Sequence, residues 1–359
     1  MFDNAMPLIR SSKSRTRRVA ALAATAAAVI ALAACQSGAT GSGSSGSTGG
    51  AADFKGKTIT LIAPDSPGGS YDSYARLFAP YLGQELGATV NVENVAGAGT
   101  LQGSNQLAAA SPNGLTIGMV NVGADIASKV ENQPGQSFDL RTLSWIGQPA
   151  QIPNVLVTQP GSNVQSFSGL LQSSSPVNVL DIRNGIGDML NRVIYGAFGV
   201  PHKLDTGFEA TSALKQGFLA KDGQTILEAM STLYPLISGS EAKPLLVIGS
   251  LGLSSYERAV TGVPTLQSEL SQLPASKSAA VQEALALSNL SDDFAAPAGL
   301  PSADLTVLRQ AFAKAAALPA LRAQATKESL PLAWISGPAV SGQVDSALSA
   351  SSTIAPYVK

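Results

Sequence analysis

Residues 57–72 read KTITLIAPDSPGGSYD, and the prediction of the fold starts from this stretch. Its first seven residues are mostly apolar and rich in β-branched side chains, which is typical of a short buried strand. Residues 64–70 are dense in turn-forming types. Apolar side chains then recur at helical spacing, at Tyr71, Tyr74, Ala75, Phe78 and Leu82. A strand, a glycine-containing turn and a helix in this order predict the first unit of an α/β fold.

The glycine turn at 64–70 is also a candidate binding site. Glycines expose backbone N–H groups just before a helix N-terminus, where unpaired donors and the positive end of the helix dipole attract an anion. A carboxylate can be held there without a lysine. The same residues also fit a plain tight turn in which Ser70 is the helix N-cap and Asp72 favours the dipole. This segment alone leaves both interpretations open.

The chain continues with a second unit of the same kind. Residues 89–93 predict a strand, 94–99 a glycine-containing loop, 100–110 a helix and 115–120 the next strand. This alternation predicts a mainly parallel sheet with right-handed crossovers. Ligands bind beyond the carboxyl ends of the strands in such sheets, which is where the turn at 64–70 would lie.

The first 34 residues have the organisation of a secretory signal. Basic residues at 10–18 precede an apolar stretch at 19–34, which at about 16 residues is short for a membrane span. The stretch ends in Leu32-Ala33-Ala34-Cys35, which resembles a bacterial lipobox and implies cleavage before Cys35 and lipid attachment to its sulfur. A plain signal peptide or an uncleaved anchor is the alternative. Residues 35–53, rich in Gly and Ser, predict a flexible tether.

The composition excludes several chemistries. Cys35 and His202 are the only cysteine and histidine, so an intramolecular disulfide and a Cys/His zinc cluster are excluded. A Ser–His–Asp triad would depend on His202, which we predict to be an ordinary surface residue in a loop. The net charge is −1 and no basic stripe is present, which argues against nucleic-acid binding. We predict a binding protein without metal or cofactor rather than an enzyme.

Several short motifs occur in a fixed order along residues 57–114. They are Pro64-Asp-Ser-Pro-Gly-Gly-Ser-Tyr-Asp72, Arg76, Leu86-Gly87, Val92-Glu93-Asn94, Gly97-Ala98-Gly99 and Ser111-Pro112-Asn113-Gly114. This series resembles the solute receptors of tripartite tricarboxylate transporters, the Bug family. Weaker similarity continues at 154–157, 262–266 and 294–301, whereas residues 160–250 diverge.

The resemblance implies the periplasmic-binding-protein type II fold, in which two α/β lobes close over a ligand. Lobe 1 would comprise residues 54–155 and 293–359, and lobe 2 residues 156–292. A helix predicted from apolar spacing at 304–318 agrees with this division. We further predict a monomer that the lipid on Cys35 anchors to the outer face of the cell membrane. It would capture a small organic anion and deliver it to the membrane permease subunits of a transporter.

The resemblance also places the ligand between two glycine-containing loops, one from each lobe. The predicted contacts are Ser66, Gly68, Gly69, Ser70 and Asp72 in lobe 1, and Arg183, Asn184, Gly185 and Asp188 in lobe 2. Asp188 replaces a hydroxyl residue of the family. We favour a helix cap for it, because an acid in a first helical turn needs no further reason, but a contact with a ligand amino group is the alternative. Residues 204–209 carry two acids, which argues against a multiply charged anion such as citrate.

Two other functions stay open at this level. A binding protein of an ABC-type importer, or a sensor, would have nearly the same fold and would take an amino-acid-like ligand. A dinucleotide-binding enzyme is a more remote alternative, since Gly97-Ala-Gly99-Thr-Leu-Gln-Gly103 follows a strand. That spacing is one residue longer than the Gly-x-Gly-x-x-Gly fingerprint, and it follows the second strand instead of the first.

Overall fold

The computed structural model describes residues 53–249 and 254–359. The predicted signal, Cys35 and nearly all of the predicted tether lie outside the described residues. In the described part, the strands are Thr58–Ala63 (β1), Thr89–Asn94 (β2), Thr116–Val120 (β3), Ser144–Gln148 (β4), Asn154–Thr158 (β5), Val177–Ile182 (β6), His202–Phe208 (β7), Thr225–Ala229 (β8), Lys243–Ile248 (β9), Asp293–Ala296 (β10) and Ile335–Ser336 (β11).

The α-helices of the same described residues alternate with these strands. They are Ser70–Leu86 (α1), Leu101–Ala109 (α2), Val122–Val130 (α3), Phe167–Leu171 (α4), Ile186–Phe198 (α5), Thr211–Ala220 (α6), Met230–Ser238 (α7), Ser254–Ala259 (α8), Leu266–Glu269 (α9), Ala275–Ser288 (α10), Ser302–Ala317 (α11), Pro319–Lys327 (α12), Gly337–Ala350 (α13) and Ala355–Val358 (α14). Among residues 53–249 and 254–359, no helix combines the length and hydropathy needed to span a bilayer.

The first sheet has the strand order β11-β4-β10-β3-β1-β2. All strands except β10 and β11 point the same way, because β1 pairs in parallel with β2 and β3 while β10 runs antiparallel to both β3 and β4. Phe78, Phe294, Phe312 and Trp334 form an aromatic cluster with centroid separations of 4.7 to 6.4 Å. This cluster holds α1 and α11 on the sheet.

The second sheet repeats this arrangement, in the order β7-β6-β8-β5-β9. Here β6 pairs in parallel with β7 and β8, and β5 is the strand that runs antiparallel to its neighbours. The chain enters the second sheet through β5 and returns to the first through β10. The predicted two-lobed α/β fold is confirmed. Lobe 1 hereafter denotes the first sheet with its helices, and lobe 2 the second sheet with its helices.

Helices near the crossing strands contact both lobes. Helix α10 packs against α5 of lobe 2 and against α3 of lobe 1, while α13 packs on β4 and α14 on α5. The carboxyl-terminal helices therefore stabilise both sheets. The residue boundaries predicted for the two lobes remain a prediction. His202 begins β7 instead of lying in a loop, so that part of the sequence prediction was wrong.

Candidate ligand-binding site

The carboxyl ends of β1 and β6 lead into two turns of the same geometry. The Gly68 N–H donates to Asp72 Oδ2 at 2.9 Å, and the Asn184 N–H donates to Asp188 Oδ2 at 3.2 Å. Gly68 and Asn184 have positive φ angles of 84° and 62°, a conformation that glycine and asparagine adopt most easily. Each turn runs into a helix with a glycine N-cap, α1 and α5.

The acids in the first turns of α1 and α5 are occupied within their own lobes. Asp72 Oδ1 lies 2.8 Å from Arg76 Nε and accepts from Asn94 Nδ2 at 2.9 Å. Asp188 Oδ1 lies 2.6 Å from Arg192 Nε. Both acids thus cap their helices, where a negative charge favours the dipole. Asn94 also donates to the Asp65 carbonyl oxygen at 3.0 Å, which holds the first turn in place.

The N-termini of the two helices line one cavity between the lobes, with a volume of about 50 Å³. Its lining includes Ser70 and Tyr71 of α1 and Ile186 and Gly187 of α5. Within the described chain, no acceptor is assigned to the backbone N–H groups of these four residues. Two sets of free donors at the positive ends of two helices therefore border the same space.

The remaining lining of the cavity is acidic. Among the described residues it contains no lysine, arginine or histidine, and its acids are Asp65, Asp181, Glu209, Glu228 and Asp292. Burial raises the pKa of Asp292 to about 7. Burial, together with the nearby charges of Asp65 and Asp292, raises the pKa of Glu228 to about 8. Burial and then the charge of Glu228 hold the pKa of Asp181 well above its usual value.

Asp65 and Ser66 of lobe 1 bind the start of α6 in lobe 2. Thr211 Oγ1 donates to Asp65 Oδ2 at 3.0 Å, and the Ser212 N–H donates to Ser66 Oγ at 3.3 Å. The N-cap of α6 is Ala210, which has no side-chain acceptor of its own. Lobe 1 therefore caps a helix of lobe 2, and these two hydrogen bonds hold the lobes together.

Gly99 makes a second contact between the lobes. Its φ is 64°, and a Cβ at this position would lie 2.4 Å from the carbonyl carbon of Asn184 and 2.5 Å from the Arg183 oxygen. Only a residue without a side chain permits this approach of the two backbones. The lobes are therefore closed over the cavity.

Of the predicted ligand contacts, Ser70 and Gly185 line the cavity. The prediction of Ser70 as helix N-cap was wrong, since Gly69 occupies that position and Ser70 is the first helical residue. The Ser70 hydroxyl donates to Asp292 Oδ1 at 2.9 Å. The adjacent Gly69 leaves room for the carboxylate of Asp65, whose Oδ2 would lie 1.8 Å from an added Cβ.

The other predicted contacts lie around the cavity without lining it. Ser66 contacts lobe 2, and Gly68, Asp72 and Asp188 form the turns and caps described above. Arg183 is exposed and, with Asn184 and Gly99, borders a neighbouring pocket.

Sequence reasoning missed most of the polar lining of the cavity. Asp65 and Asp181 stand at the carboxyl ends of buried strands, a position that could have indicated them. Asn154 at the start of β5 and Asp292 just before β10 gave no local signal, because only the crossing of the chain between lobes brings them to the cavity.

Comparison with known proteins finds similarity to transport receptors. Residues 74–209 match the model of the tripartite tricarboxylate transporter family receptor. Over this segment the chain is similar to that family. It is 32% identical over 143 residues to protein BugT of Bordetella pertussis, which covers 38% of this chain and 43% of BugT, less than half of that relative. It is 27% identical over 285 residues to a UPF0065 protein of the same organism, covering 75% of this chain and 80% of that protein.

A solved structure confirms the fold. MatC from Rhodopseudomonas palustris, a structure with bound malate, superposes with a TM-score of 0.67 at 17% identity. The match covers 83% of this chain and 99% of MatC. The predicted periplasmic-binding-protein architecture is confirmed, and the family model agrees with the predicted resemblance.

Proposed function

We propose that the protein is an extracytoplasmic solute-binding receptor, which captures a small organic acid and delivers it to a membrane permease. The observation that supports this most directly is the pair of glycine-led helix N-termini that line one cavity between two lobes. Free amides at a helix N-terminus bind a carboxylate without a basic side chain. The malate bound to MatC, a protein of the same fold, supports an organic acid as the ligand class.

Capture works through closure of the two lobes. A ligand that bridges the N-termini of α1 and α5 binds the closed form better than the open form and so shifts the population toward it. Three contacts form only when the lobes approach each other. They join Thr211 to Asp65, Ser212 to Ser66 and Gly99 to Asn184. A permease can then distinguish the loaded receptor by its closed shape.

The predicted ligand contacts divide into two groups in this proposal. Ser70 and Gly185 stay direct contacts, because they line the cavity. The other members of the set act by shaping the turns, by closing the lobes or by lying at the neighbouring pocket; they are Ser66, Gly68, Gly69, Asp72, Arg183, Asn184 and Asp188.

Export and a lipid anchor on Cys35 complete the proposal. More than one acyl chain on a cysteine holds a protein stably at a membrane, and the lipobox-like sequence before Cys35 supports such an anchor. Replacing Cys35 with serine should move the protein from the membrane fraction to the aqueous fraction. An unchanged membrane fraction in the Cys35→Ser variant would argue for an uncleaved apolar anchor instead.

The ligand class is tested by thermal melts of the purified chain, in detergent, against malate, succinate, adipate and citrate. A ligand at 100 times its dissociation constant stabilises the folded state by about 2.7 kcal/mol. Ser70→Pro removes one amide donor at the first helical position, where proline is tolerated, and Ser70→Ala removes only the hydroxyl.

Loss of one charge-assisted hydrogen bond of about 1.5–3 kcal/mol should weaken binding roughly 10- to 150-fold in Ser70→Pro relative to Ser70→Ala. Equal affinities in the two variants would show that the amides of α1 do not bind the carboxylate. If neither these acids nor any amino acid raised the melting temperature, the receptor function itself would be refuted.

A further inference from the structure

The charges of the cavity are unbalanced. Its acids Asp65, Asp181, Glu209, Glu228 and Asp292 face no lining base among the described residues. The described residues form the ion pairs Arg76–Asp72, Arg192–Asp188 and Arg141–Asp345. None of these pairs includes an acid of the cavity. Lys215 on α6 lowers the pKa of Glu228 through its charge but does not line the cavity. An ammonium group placed among these acids favours their ionised form, whereas a carboxylate that enters alone is repelled by each acid that is ionised.

A buried amide provides an independent sign of a ligand. Asn154 is only 2% exposed and lines the cavity, yet its side chain has no hydrogen-bond partner in the described chain. Asn121 is equally buried and lines the same space; its Oδ1 accepts from the Ala124 N–H at 3.1 Å while its Nδ2 has no assigned acceptor. Buried amide groups are nearly always hydrogen-bonded in native proteins. A polar ligand in the cavity would supply the partners that these two side chains lack.

The acids and the free amides adjoin each other. The Ser70 hydroxyl donates to Asp292 Oδ1 at 2.9 Å, so one residue of the α1 N-terminus touches one of the acids directly. A positive and a negative group that occupy these two places must lie very near each other in the ligand. Ammonium and carboxylate groups on one carbon atom meet this condition.

A metal ion fits the acids less well than an ammonium group. In the described part of the chain, no three side chains of Asp, Glu, His or Cys converge where they could hold a metal. Carboxylates that are spread around a cavity, with amide oxygens beside them, suit an ammonium group, whose three N–H donors point in different directions.

We propose that the ligand is a zwitterion of the α-amino-acid type, with its carboxylate on the amides of Ser70 and Tyr71 and its ammonium group between Asp292 and Glu228. Asn154 then accepts from the ammonium group or donates to the carboxylate. This proposal rests on the receptor function proposed above and specifies its ligand. It also explains how a cavity with free amides at two helix N-termini can carry five acids.

Thermal melts and titration calorimetry of the purified full chain test this proposal. The probes are the twenty common L-amino acids, each beside the carboxylic acid that lacks its amino group, and primary alkylamines such as ethylamine and propylamine. At least one amino acid should bind 10-fold or more tightly than its deaminated partner and than any alkylamine.

Two variants and one control test whether the ammonium group binds its proposed partners. Asp292→Asn and Glu228→Gln keep the size of the side chain. Each should weaken binding of the amino acid at least 10-fold and should leave the affinity for the deaminated acid nearly unchanged or improve it. Glu85→Gln removes the same charge at an exposed position in the last turn of α1 and should leave both affinities unchanged.

The outcomes separate this proposal from the one on which it rests. Binding of a deaminated acid as tight as that of its amino acid would overturn the zwitterion and leave the receptor function intact. Unaltered amino-acid binding in both Asp292→Asn and Glu228→Gln would also overturn it. Binding of neither amino acids nor carboxylic acids would refute the receptor function.

Discussion

Replacement of Gly99 by alanine should prevent the lobes from closing without unfolding either of them. A Cβ at this position lies 2.4 Å from the carbonyl carbon of Asn184, whereas ordinary contact begins at 3.4 Å, so the backbones must separate by about 1 Å. Overpacking of this kind costs about 1–3 kcal/mol. The cost applies only to the closed form, so the closed population should fall roughly 5- to 150-fold. Because only the closed form binds tightly, the apparent dissociation constant should rise by the same factor.

Gly161→Ala is the matched control for this prediction. Gly161 also has a positive φ, 83°, but a Cβ there would meet nothing within 4 Å. Both variants should lose about 1–2 kcal/mol of stability from the left-handed backbone, and only Gly99→Ala should lose affinity. The assays are titration calorimetry with the tightest ligand of the panel and small-angle scattering of the unliganded chain, in which Gly99→Ala should have the larger radius of gyration. Equal affinity and equal radius in the two variants would refute closure through Gly99.

Three further predictions follow from the hydrogen bonds and the buried acids. Asp72→Ala and Asp188→Ala should each lower the free energy of unfolding in urea by about 1 kcal/mol, as expected for lost helix caps, and the two effects should add; a change below about 0.3 kcal/mol in either would contradict the caps. Thr211→Ala should weaken ligand binding about fivefold by removing a bond of the closed form, and Thr211→Ser, which keeps the hydroxyl, should restore it; equal affinities would show that the bond does not favour closure. Burial raises the pKa values of Asp292 and Glu228 to about 7 and about 8, so the folded chain binds more protons than the unfolded chain from pH near 4 up to these values. Stability of the unliganded chain should therefore fall as the pH rises from about 5 to about 8 in thermal melts, and a double Asp292→Asn, Glu228→Gln variant should show a flatter profile; an unchanged slope in that variant would show that other groups control the pH dependence.

Local patterns were enough to predict the elements from β1 to β3. The strands at 57–63 and 115–120 appear in the structure within two residues of their predicted ends, and the helix predicted between Tyr71 and Leu82 lies within α1. They were predictable because hydrophobic periodicity and turn chemistry depend on neighbouring residues. The sequence also located both glycine turns, since a backbone with positive φ before a helix requires glycine or asparagine at Gly68 and Asn184.

The chemistry of the cavity depended on long-range contacts. Asp72 and Asp188 were predicted as ligand contacts, with a cap as the favoured role for Asp188; in the structure both are bonded to arginines one turn along their helices. Asp292 reaches Ser70, and Asp65 reaches Thr211, across 222 and 146 residues of sequence. Spacing along the chain cannot reveal such pairs, because they form only when β5 and β10 cross between the sheets and the lobes close. By itself the sequence determined the family resemblance, the alternation of strands and helices, and the two helix N-termini. Only the tertiary structure could decide that the space between those N-termini is acidic, since burial and proximity, and not residue type alone, determine where charges meet.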